Sequence, residues 1–296
     1  MNIAVVGSIN MDLVYRVPHI VKAGETLHST NHDVFFGGKG ANQAVTAGQL
    51  GADVNFIGNV GVDVFGDQAL QNLQTKRVNT AAIKKVGLTG QAIIQVADSG
   101  ENSIVLFAGA NFLVTTEQIQ SERDKIEASN ALLLQLEIPM PAVELAANIA
   151  AQKGIPIILN PAPAQEISDS LLSKVSILTP NETELEVLTG LKTETDADLY
   201  QACSSLLQKG VGAVVVTLGG KGAYYMNRHE HGRIQPNRVD AKDTTGAGDA
   251  FNGALAVGLC KGHSLKESIL YASEVAAFVV TQMGAQPTIP LSFLNK

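Results

Sequence analysis

The sequence predicts an α/β fold: a doubly wound, mostly parallel central sheet covered by helices on both faces, with a small β-sheet lid. Apolar runs of strand length alternate with helical segments along most of the chain, and buried parallel strands need helices on both faces. The lid is predicted because short alternating strands occur in two excursions from this pattern, at about 12–36 and 91–107. We expect residues 1–296 to form a single domain.

Composition narrows the classes of partner. Of the 296 residues 45% are apolar, yet no run of about 18 apolar residues occurs and no signal peptide is recognisable, which predicts a cytoplasmic protein without a membrane partner. The net charge of −7, without long runs of one sign, argues against nucleic acid. Cys203 and Cys260 lie in helical patterns without metal-ligand spacing and are interpreted as buried thiols.

The first strand is predicted at residues 2–9. Asn10 and Asp12 follow its carboxyl end, where open α/β sheets bind their ligands. Both side chains can hydrogen-bond hydroxyl groups, and a carboxylate can accept from two at once. Turn formation is the alternative interpretation, because Asn and Asp favour turns in general.

The predicted lid consists of four short strands. They lie at residues 13–17, 33–36, 91–96 and 103–107. A lid would exclude water from the site that it covers. Because a thin sheet cannot cover both of its faces, we expect Val14, Val34 and Phe36 to pack against a second copy of the chain.

A glycine-rich segment at residues 37–42 (GGKGAN) begins a helix that runs to about Gln49. Lys39 and Asn42 lie three residues apart on its first turn and share a face. The segment does not match the phosphate-binding pattern G-x-x-x-x-G-K-[ST], so it suits a polar, uncharged ligand. A plain helix start is the alternative.

The rest of the chain continues the alternation. Strands are predicted at 52–59, 83–86, 131–136, 156–159, 176–178, 213–217 and 223–226, helices at 65–76, 142–153, 196–209, 247–261 and 265–282, and a polar link at 227–242. Glu137 follows a buried strand and is a candidate to bind sugar hydroxyls, with a solvated loop acid as the alternative.

Two loops indicate a nucleotide site. Asn181 and Glu184 could organise water around a magnesium ion, or could simply form a capping box at a helix start. The glycine loop at residues 218–222 would let phosphates approach its backbone, with Lys221 as a counter-charge.

Residues 243–249 (DTTGAGD) read as a tight glycine loop that feeds a helix. Backbone N–H groups at such a helix start attract anions, and Asp249 stands beside them as a carboxylate able to accept a proton. This combination suits phosphoryl transfer to a hydroxyl group. The alternative is that Asp249 only caps the helix.

Taken together, these motifs resemble the ribokinase-like (phosphofructokinase-B type) carbohydrate kinases. The two signatures are GGKGAN at 37–42 and DTTGAGD at 243–249, and QLE at 135–137, NPAPA at 160–164, TPNETE at 179–184 and TLGGKG at 217–222 are similar in order and spacing. The resemblance covers essentially the whole chain. GSINMD at 7–12 and GAQPT at 284–288 are most similar to members that phosphorylate ribose.

The resemblance implies that ATP transfers its γ-phosphoryl group to the 5-hydroxyl of D-ribose, giving D-ribose 5-phosphate and ADP. Positions that match ribose-binding residues are Asn10, Asp12, Gly38, Lys39, Asn42, Glu137 and Asp249. Asp249 also matches the catalytic base, with an anion hole at Gly246, Ala247 and Gly248. Positions that match the nucleotide site are Asn181, Glu184, Thr217, Gly219, Gly222 and Ser273.

The resemblance also implies two cations and a dimer. Mg²⁺ would accompany ATP, held by Glu184 through water, and K⁺ would bind at Asp243, Thr245, Val279, Gln282, Gly284 and Thr288. The ligands would be ATP and a small neutral sugar, and two copies of the chain would associate through their lids.

Two other hypotheses stay open. A kinase of the same fold could act on fructose, a keto-deoxy sugar acid or a nucleoside; Lys39 as the chief cation and the lack of tryptophan favour a small neutral sugar, although Phe35, Phe36 and Phe107 could line a pocket. A catalytically silent sugar-binding protein is the second, and the intact glycine loop with its acid argues against it.

Overall fold

The computed structural model describes residues 1–294. In chain order its strands are β1 (Asn2–Val6), β2 (Asn10–Val17), β3 (Asn31–Gly37), β4 (Asp53–Val60), β5 (Val78–Lys85), β6 (Gly90–Ala97), β7 (Asn102–Phe107), β8 (Ala131–Leu134), β9 (Ile157–Leu159), β10 (Ile177–Leu178), β11 (Ala213–Thr217), β12 (Ala223–Asn227) and β13 (His231–Ile234). The α-helices are α1 (Lys39–Gln49), α2 (Val64–Thr75), α3 (Thr116–Ser121), α4 (Arg123–Glu127), α5 (Met140–Gln152), α6 (Asp169–Leu172), α7 (Glu182–Thr189), α8 (Asp196–Gln208), α9 (Ala247–Cys260) and α10 (Leu265–Val279).

Nine of these strands form the central sheet of the described residues, in the order β13-β12-β11-β10-β9-β8-β1-β4-β5. The run from β11 to β5 is parallel throughout, and β12 and β13 add an antiparallel edge. The prediction of a mostly parallel sheet is therefore confirmed.

Helices cover both faces of this sheet, as its apolar strands require. In β1, Ile3 and Val5 belong to one buried cluster, together with apolar side chains of α1, α2, α9 and α10. The alternate residues Ala4 and Val6 belong to a second cluster with α5, α7 and α8. Because successive strand residues point to opposite faces, a strand that is apolar at every position has to be covered twice.

A separate four-stranded sheet has the order β3-β2-β6-β7. Its central pair β2 and β6 is parallel and the two outer pairs are antiparallel. These are the four strands predicted for the lid, and we call them the small sheet. Val14 pairs with Asp33, whereas Val34 pairs with Leu13, so Val14 and Val34 lie on opposite faces. The expectation that Val14, Val34 and Phe36 share one buried surface is therefore wrong.

The structure differs from the predicted elements in several places, and the short helices α3, α4 and α6 were not predicted. The segment 227–242, expected to be a polar link, contains β13, which pairs with β12. Only Ile234 of this strand is buried, so the strand lacks the alternating apolar pattern that would predict it. Strand β5 starts at Val78, earlier than predicted, and α10 ends at Val279 before the predicted Gln282.

No helix within residues 1–294 has the length and apolar character needed to cross a membrane. Cys203 is buried, Cys260 is half-buried, and both are free thiols.

Candidate active site

Asp249 lies in the first turn of α9 and is only 6% exposed. The residue that caps this helix is Gly246, whose φ of 75° places it in the left-handed region that glycine adopts without strain. The carboxylate of Asp249 instead accepts from two side chains of α1: Asn42 Nδ2 donates to Oδ2 at 2.9 Å and Gln43 Nε2 donates to Oδ1 at 3.1 Å. The alternative that Asp249 only caps its helix is therefore wrong.

The side-chain amides of Asn42 and Gln43 each accept a hydrogen bond from a further side-chain amide. Gln286 Nε2 donates to Asn42 Oδ1 at 2.8 Å, and Gln135 Nε2 donates to Gln43 Oε1 at 2.6 Å. The sequence prediction included Asn42 but missed the three glutamines. GGKGANQ places Gln43 beside a predicted site residue, but nothing in the sequence shows that it turns toward α9.

The glycines at the start of α1 allow the helix to pack against the turn between β1 and β2. Gly38 has a φ of 87°, and a Cβ there would lie 2.7 Å from the backbone N of Asn10. A Cβ on Gly40 would lie 2.6 Å from the backbone N of Ser8. These contacts are too short for any other residue, so the two glycines let the start of α1 lie directly against the backbone of Ser8 and Asn10.

This packing brings Glu137 and Lys39 together. Glu137 Oε2 accepts from the backbone N–H of Lys39 at 3.1 Å, and the hydroxyl of Ser8 donates to the same oxygen. Glu137 thus lies at the end of β8 as predicted, and it is not a solvated loop acid.

Asn10 and Asp12 lie within β2, so the turn interpretation is wrong. They are two residues apart and share one face of the small sheet. Asn10 is 7% exposed, and its Oδ1 accepts from Asn111 Nδ2 at 2.7 Å. A Cβ on Gly37 would lie 2.4 Å from both carboxylate oxygens of Asp12, so Gly37 provides the space for that carboxylate.

The site concentrates carboxylates around one cation, and burial raises the pKa of two of them, Asp249 and Asp12. Burial raises the pKa of Asp249, while the charge of Lys39 and the donors Asn42 and Gln43 oppose that rise. Burial, with the charges of Glu137 and Asp249, raises the pKa of Asp12 to about 7, against the opposing charge of Lys39.

Lys39 is the cation that these carboxylates share. Burial alone would lower the pKa of its ammonium group, but four carboxylates raise it above its ordinary value. Those carboxylates are Asp249, Glu137, Glu184 and Asp12. Lys39 is therefore protonated at neutral pH and partly compensates the negative charge of the site.

The predicted nucleotide residues come from adjacent parts of the sheet edge. Asn181 forms an isolated parallel bridge with Thr217, which joins the start of α7 to the end of β11. Asn181 and Glu184 form the capping box: Asn181 N donates to Glu184 Oε2 at 2.9 Å and Glu184 N donates to Asn181 Oδ1 at 2.8 Å. Burial raises the pKa of Glu184.

The glycine loop after β11 has two residues with positive φ, Gly219 at 55° and Gly222 at 88°. A Cβ on Gly219 would meet no atom within 4 Å, so its backbone is approachable, whereas Gly222 packs tightly against β13. Lys221 pairs with Glu182 at 2.8 Å. Ser273 donates to Ile269 O within α10 at 2.8 Å, and no hydrogen bond links it to the other nucleotide candidates.

The predicted potassium residues are only partly brought together. Asp243 accepts from the backbone N–H groups of Thr245 and Gly284, at 2.9 Å each. Gln282 donates to the neighbouring Thr281, and the hydroxyl of Thr288 accepts from Lys76 Nζ at 3.1 Å. Val279 is buried at the end of α10.

The fold and this site together define a class of enzyme. The sequence model of the pfkB family of carbohydrate kinases matches residues 1–291. The chain belongs to this family, and it is therefore a sugar kinase that uses a phosphoryl donor.

Individual relatives are similar over almost the whole chain. A ribokinase of Haemophilus influenzae is 44% identical over 293 residues, covering 97% of this chain and 95% of the relative. A deoxyribokinase of Salmonella typhi is 38% identical, covering 98% and 96%. A solved ribokinase of Arabidopsis thaliana, in complex with ribose and ATP, superposes with a TM-score of 0.91 at 32% identity, covering 99% of this chain and 98% of that one.

Proposed function

We propose that this chain transfers the γ-phosphoryl group of ATP to the 5-hydroxyl of D-ribose, giving D-ribose 5-phosphate and ADP. The observation that carries the proposal is the buried carboxylate of Asp249, held by Asn42 and Gln43 in the first turn of a glycine-rich helix start. Support comes from relatives named ribokinase, which are 36% to 44% identical over nearly their full length.

The sugar would bind between α1, β2 and the end of β8. Asp12 and Glu137 are acceptors for hydroxyl groups, and Lys39 and Asn42 are donors. The amide of Asn10 has its oxygen engaged by Asn111, so it presents Nδ2 as a donor. A neutral polyhydroxylated ligand satisfies such a mixed set of donors and acceptors.

In the chemical step the sugar oxygen attacks the γ-phosphorus of ATP. The new O–P bond forms as the bond to the β-phosphate oxygen breaks, ADP leaves, and the hydroxyl proton passes to Asp249. Because the hydroxyl is a very weak acid, Asp249 accepts its proton only as the attack proceeds. The backbone N–H groups of Gly246, Ala247 and Gly248 are the proposed donors to the transferring group. In the structure the N–H of Ala247 donates to Thr244 O at 3.3 Å, a long bond that phosphate oxygens would have to replace.

For Mg²⁺, the donor set fits a site completed by ATP. In the capping box only Oε2 of Glu184 accepts a hydrogen bond, from Asn181 N, so Oε1 is available to a water molecule of the ion. Mg²⁺ is commonly held by one or two carboxylates plus substrate phosphates and water. When bound with ATP, the ion neutralises phosphate charge. Asn181, Thr217, Gly219 and Gly222 are proposed to position the nucleotide, with Ser273 the member that has least structural support.

For K⁺, the proposed central ligand is the carboxylate of Asp243: each of its oxygens accepts from one backbone N–H, of Thr245 or Gly284, and keeps a lone pair for a cation. We place Val279, Gln282 and Thr288 at its periphery, acting through backbone oxygens. A bound cation there would order the loop that leads to Gly246. Replacing K⁺ by tetramethylammonium should lower the rate of ADP release, and an unchanged rate would contradict this site.

The small sheet is the proposed lid and the proposed interface of a homodimer. Ile104 and Val105 are neighbours in β7 on opposite faces of the sheet, and they are 51% and 62% exposed. Such residues are usually covered, and a second copy of the sheet could cover them. Sedimentation should therefore give a dimer at micromolar concentration. One of the two variants Ile104→Glu and Val105→Glu should dissociate the dimer and so identify the face of the sheet that forms the interface. A wild-type protein that sediments as a monomer, or a dimer that persists in both variants, would contradict the proposal.

The experiment that tests the function is a coupled ADP-release assay with a panel of sugars and nucleosides, with ATP and Mg²⁺. D-ribose should give the highest kcat/KM, and release without sugar should be much slower. The deoxyribokinase among the relatives makes 2-deoxy-D-ribose the second candidate. Preference for fructose, a sugar acid or a nucleoside would overturn the substrate assignment. If ADP release did not depend on added sugar, the proposed activity itself would be wrong. A cytoplasmic location stays a prediction.

A further inference from the structure

Two buried glutamines lie behind the carboxylate of Asp249. Gln43 on α1 and Gln135, which follows β8, are both 0% exposed. Gln43 Nε2 donates to Asp249 Oδ1 at 3.1 Å and is 3.4 Å from Asn160 Oδ1. Gln43 Oε1 accepts from Gln135 Nε2 at 2.6 Å. Gln43 therefore has a partner at each end of its amide.

This arrangement permits only one orientation of the Gln43 amide. A primary amide has one donor end and one acceptor end. Because Gln135 donates to the acceptor end of Gln43, the donor end has to face Asp249. Turning either amide around would place oxygen against oxygen. Gly7 is part of the arrangement, because a Cβ there would lie 2.1 Å from Gln135 Oε1.

Gln43 differs from Asn42, the other donor to Asp249. Asn42 lies among the proposed sugar-binding residues, so its loss would affect both the binding of the sugar and the hydrogen bonding of the Asp249 carboxylate. Gln43 has no exposed surface, and its side chain hydrogen-bonds with Asp249, Gln135 and Asn160. A change at Gln43 therefore acts on the base with little direct effect on the sugar.

The base needs such support because of its surroundings. A neutral carboxyl group cannot accept a proton, and burial favours the neutral form of Asp249. The charged groups that act on it are Lys39 of α1, which favours ionisation, and Glu137, Asp12 and Glu184, which oppose it. Hydrogen bonds donated to the ionised form are the remaining favourable contribution.

We propose that Gln43, oriented by Gln135, is the positioning residue of the base: it binds Oδ1 of Asp249, so that Oδ2, which also accepts from Asn42, keeps a lone pair to accept the proton of the sugar hydroxyl. This inference rests on the proposed role of Asp249. Gln135 acts only through Gln43, since Gln43 separates it from the carboxylate.

The test is the pH dependence of kcat in Gln43→Met, Gln135→Met and the double variant. A hydrogen bond to a charged group contributes about 1.5–3 kcal/mol, and each pKa unit corresponds to about 1.4 kcal/mol, so the acid limb of Gln43→Met should move up by about one to two pH units. The KM for sugar should change by less than about twofold. Gln135→Met should shift the limb in the same direction by less, and the double variant should match Gln43→Met, because Gln135 has no separate path to the base.

The matched control is Gln118→Met. Gln118 is a buried glutamine, 2% exposed, whose side chain donates to Gly58 O at 3.0 Å and makes no hydrogen bond to a proposed site residue. It should lower thermal stability while keeping the wild-type pH profile. A wild-type profile in Gln43→Met, or shifts that add in the double variant, would overturn the proposal. If Gln43→Met does not fold, Gln135→Met decides, and an unchanged acid limb there overturns it.

The two proposals fail in different ways. If Asp249→Asn keeps its turnover, the assignment of the base is wrong. If Asp249→Asn is inactive but Gln43→Met has the wild-type profile, only the positioning role of Gln43 is wrong.

Discussion

Sugar affinity should depend on pH through Asp12. Burial and the charges of Glu137 and Asp249 raise the pKa of this carboxyl group to about 7 in the free protein. Sugar hydroxyls donate to the ionised form, so protonation removes an acceptor. A group with a raised pKa is protonated below that pKa, and affinity should therefore fall as the pH is lowered through 7.

The size of the effect follows from that value. If only ionised Asp12 binds sugar, the apparent Kd rises by the factor 1 + 10^(pKa − pH), which is about 1.1 at pH 8 and about 11 at pH 6. The affinity for ribose should thus weaken about tenfold between pH 8 and pH 6. At pH 7 binding should release about half a proton for each sugar bound.

Isothermal titration calorimetry of ribose without nucleotide measures both quantities. Proton release is obtained from the binding enthalpy in buffers that differ in ionisation enthalpy. Asp12→Asn is the control: it should bind more weakly, with a Kd that no longer varies between pH 6 and pH 8. A constant Kd in the native protein would refute the reasoning, and a pH dependence that persists in Asp12→Asn would assign it to another group.

Three further predictions follow from the site. Asp12→Ala should raise the Kd for ribose much more than the Kd for ATP, and equal losses in the two titrations would contradict a sugar-facing Asp12. Gly38→Ala should lower the free energy of unfolding by about 1–3 kcal/mol or more and raise the KM for sugar, because a Cβ there clashes with the backbone of Asn10; Gly154→Ala, which has positive φ but no neighbour within 4 Å, is the control and should leave the KM unchanged. Glu184→Gln should raise the Mg²⁺ concentration needed for half-maximal rate while the KM for sugar stays the same, and a magnesium titration that superposes on the wild type would contradict its role.

The sequence was informative where function depends on local patterns. Two glycine motifs located the start of α1 and the start of α9, and the alternation of strands and helices predicted the parallel sheet between them. Asp249 and Glu137 could be placed because each follows a recognisable element, a glycine turn or a buried strand.

The residues that sequence reasoning missed act through contacts far apart in the chain. Gln43 meets an acid 206 positions later, and Asn111 meets Asn10 from 101 positions away. A buried amide has no periodicity of its own, and its partner is decided by how α1 packs on α9. Strand β13 was missed for a related reason. It is an edge strand with one buried residue, and it forms because β12 offers it hydrogen bonds. Its own sequence pattern therefore does not indicate a strand.

The central claim is that Asp249 accepts the proton of the sugar hydroxyl during phosphoryl transfer. The most direct test compares kcat for ribose phosphorylation with the Kd for ribose in Asp249→Asn, which keeps the shape of the side chain and removes its charge. Turnover should be almost abolished, while ribose still binds with nearly native affinity. A variant that keeps near-native kcat would contradict the claim.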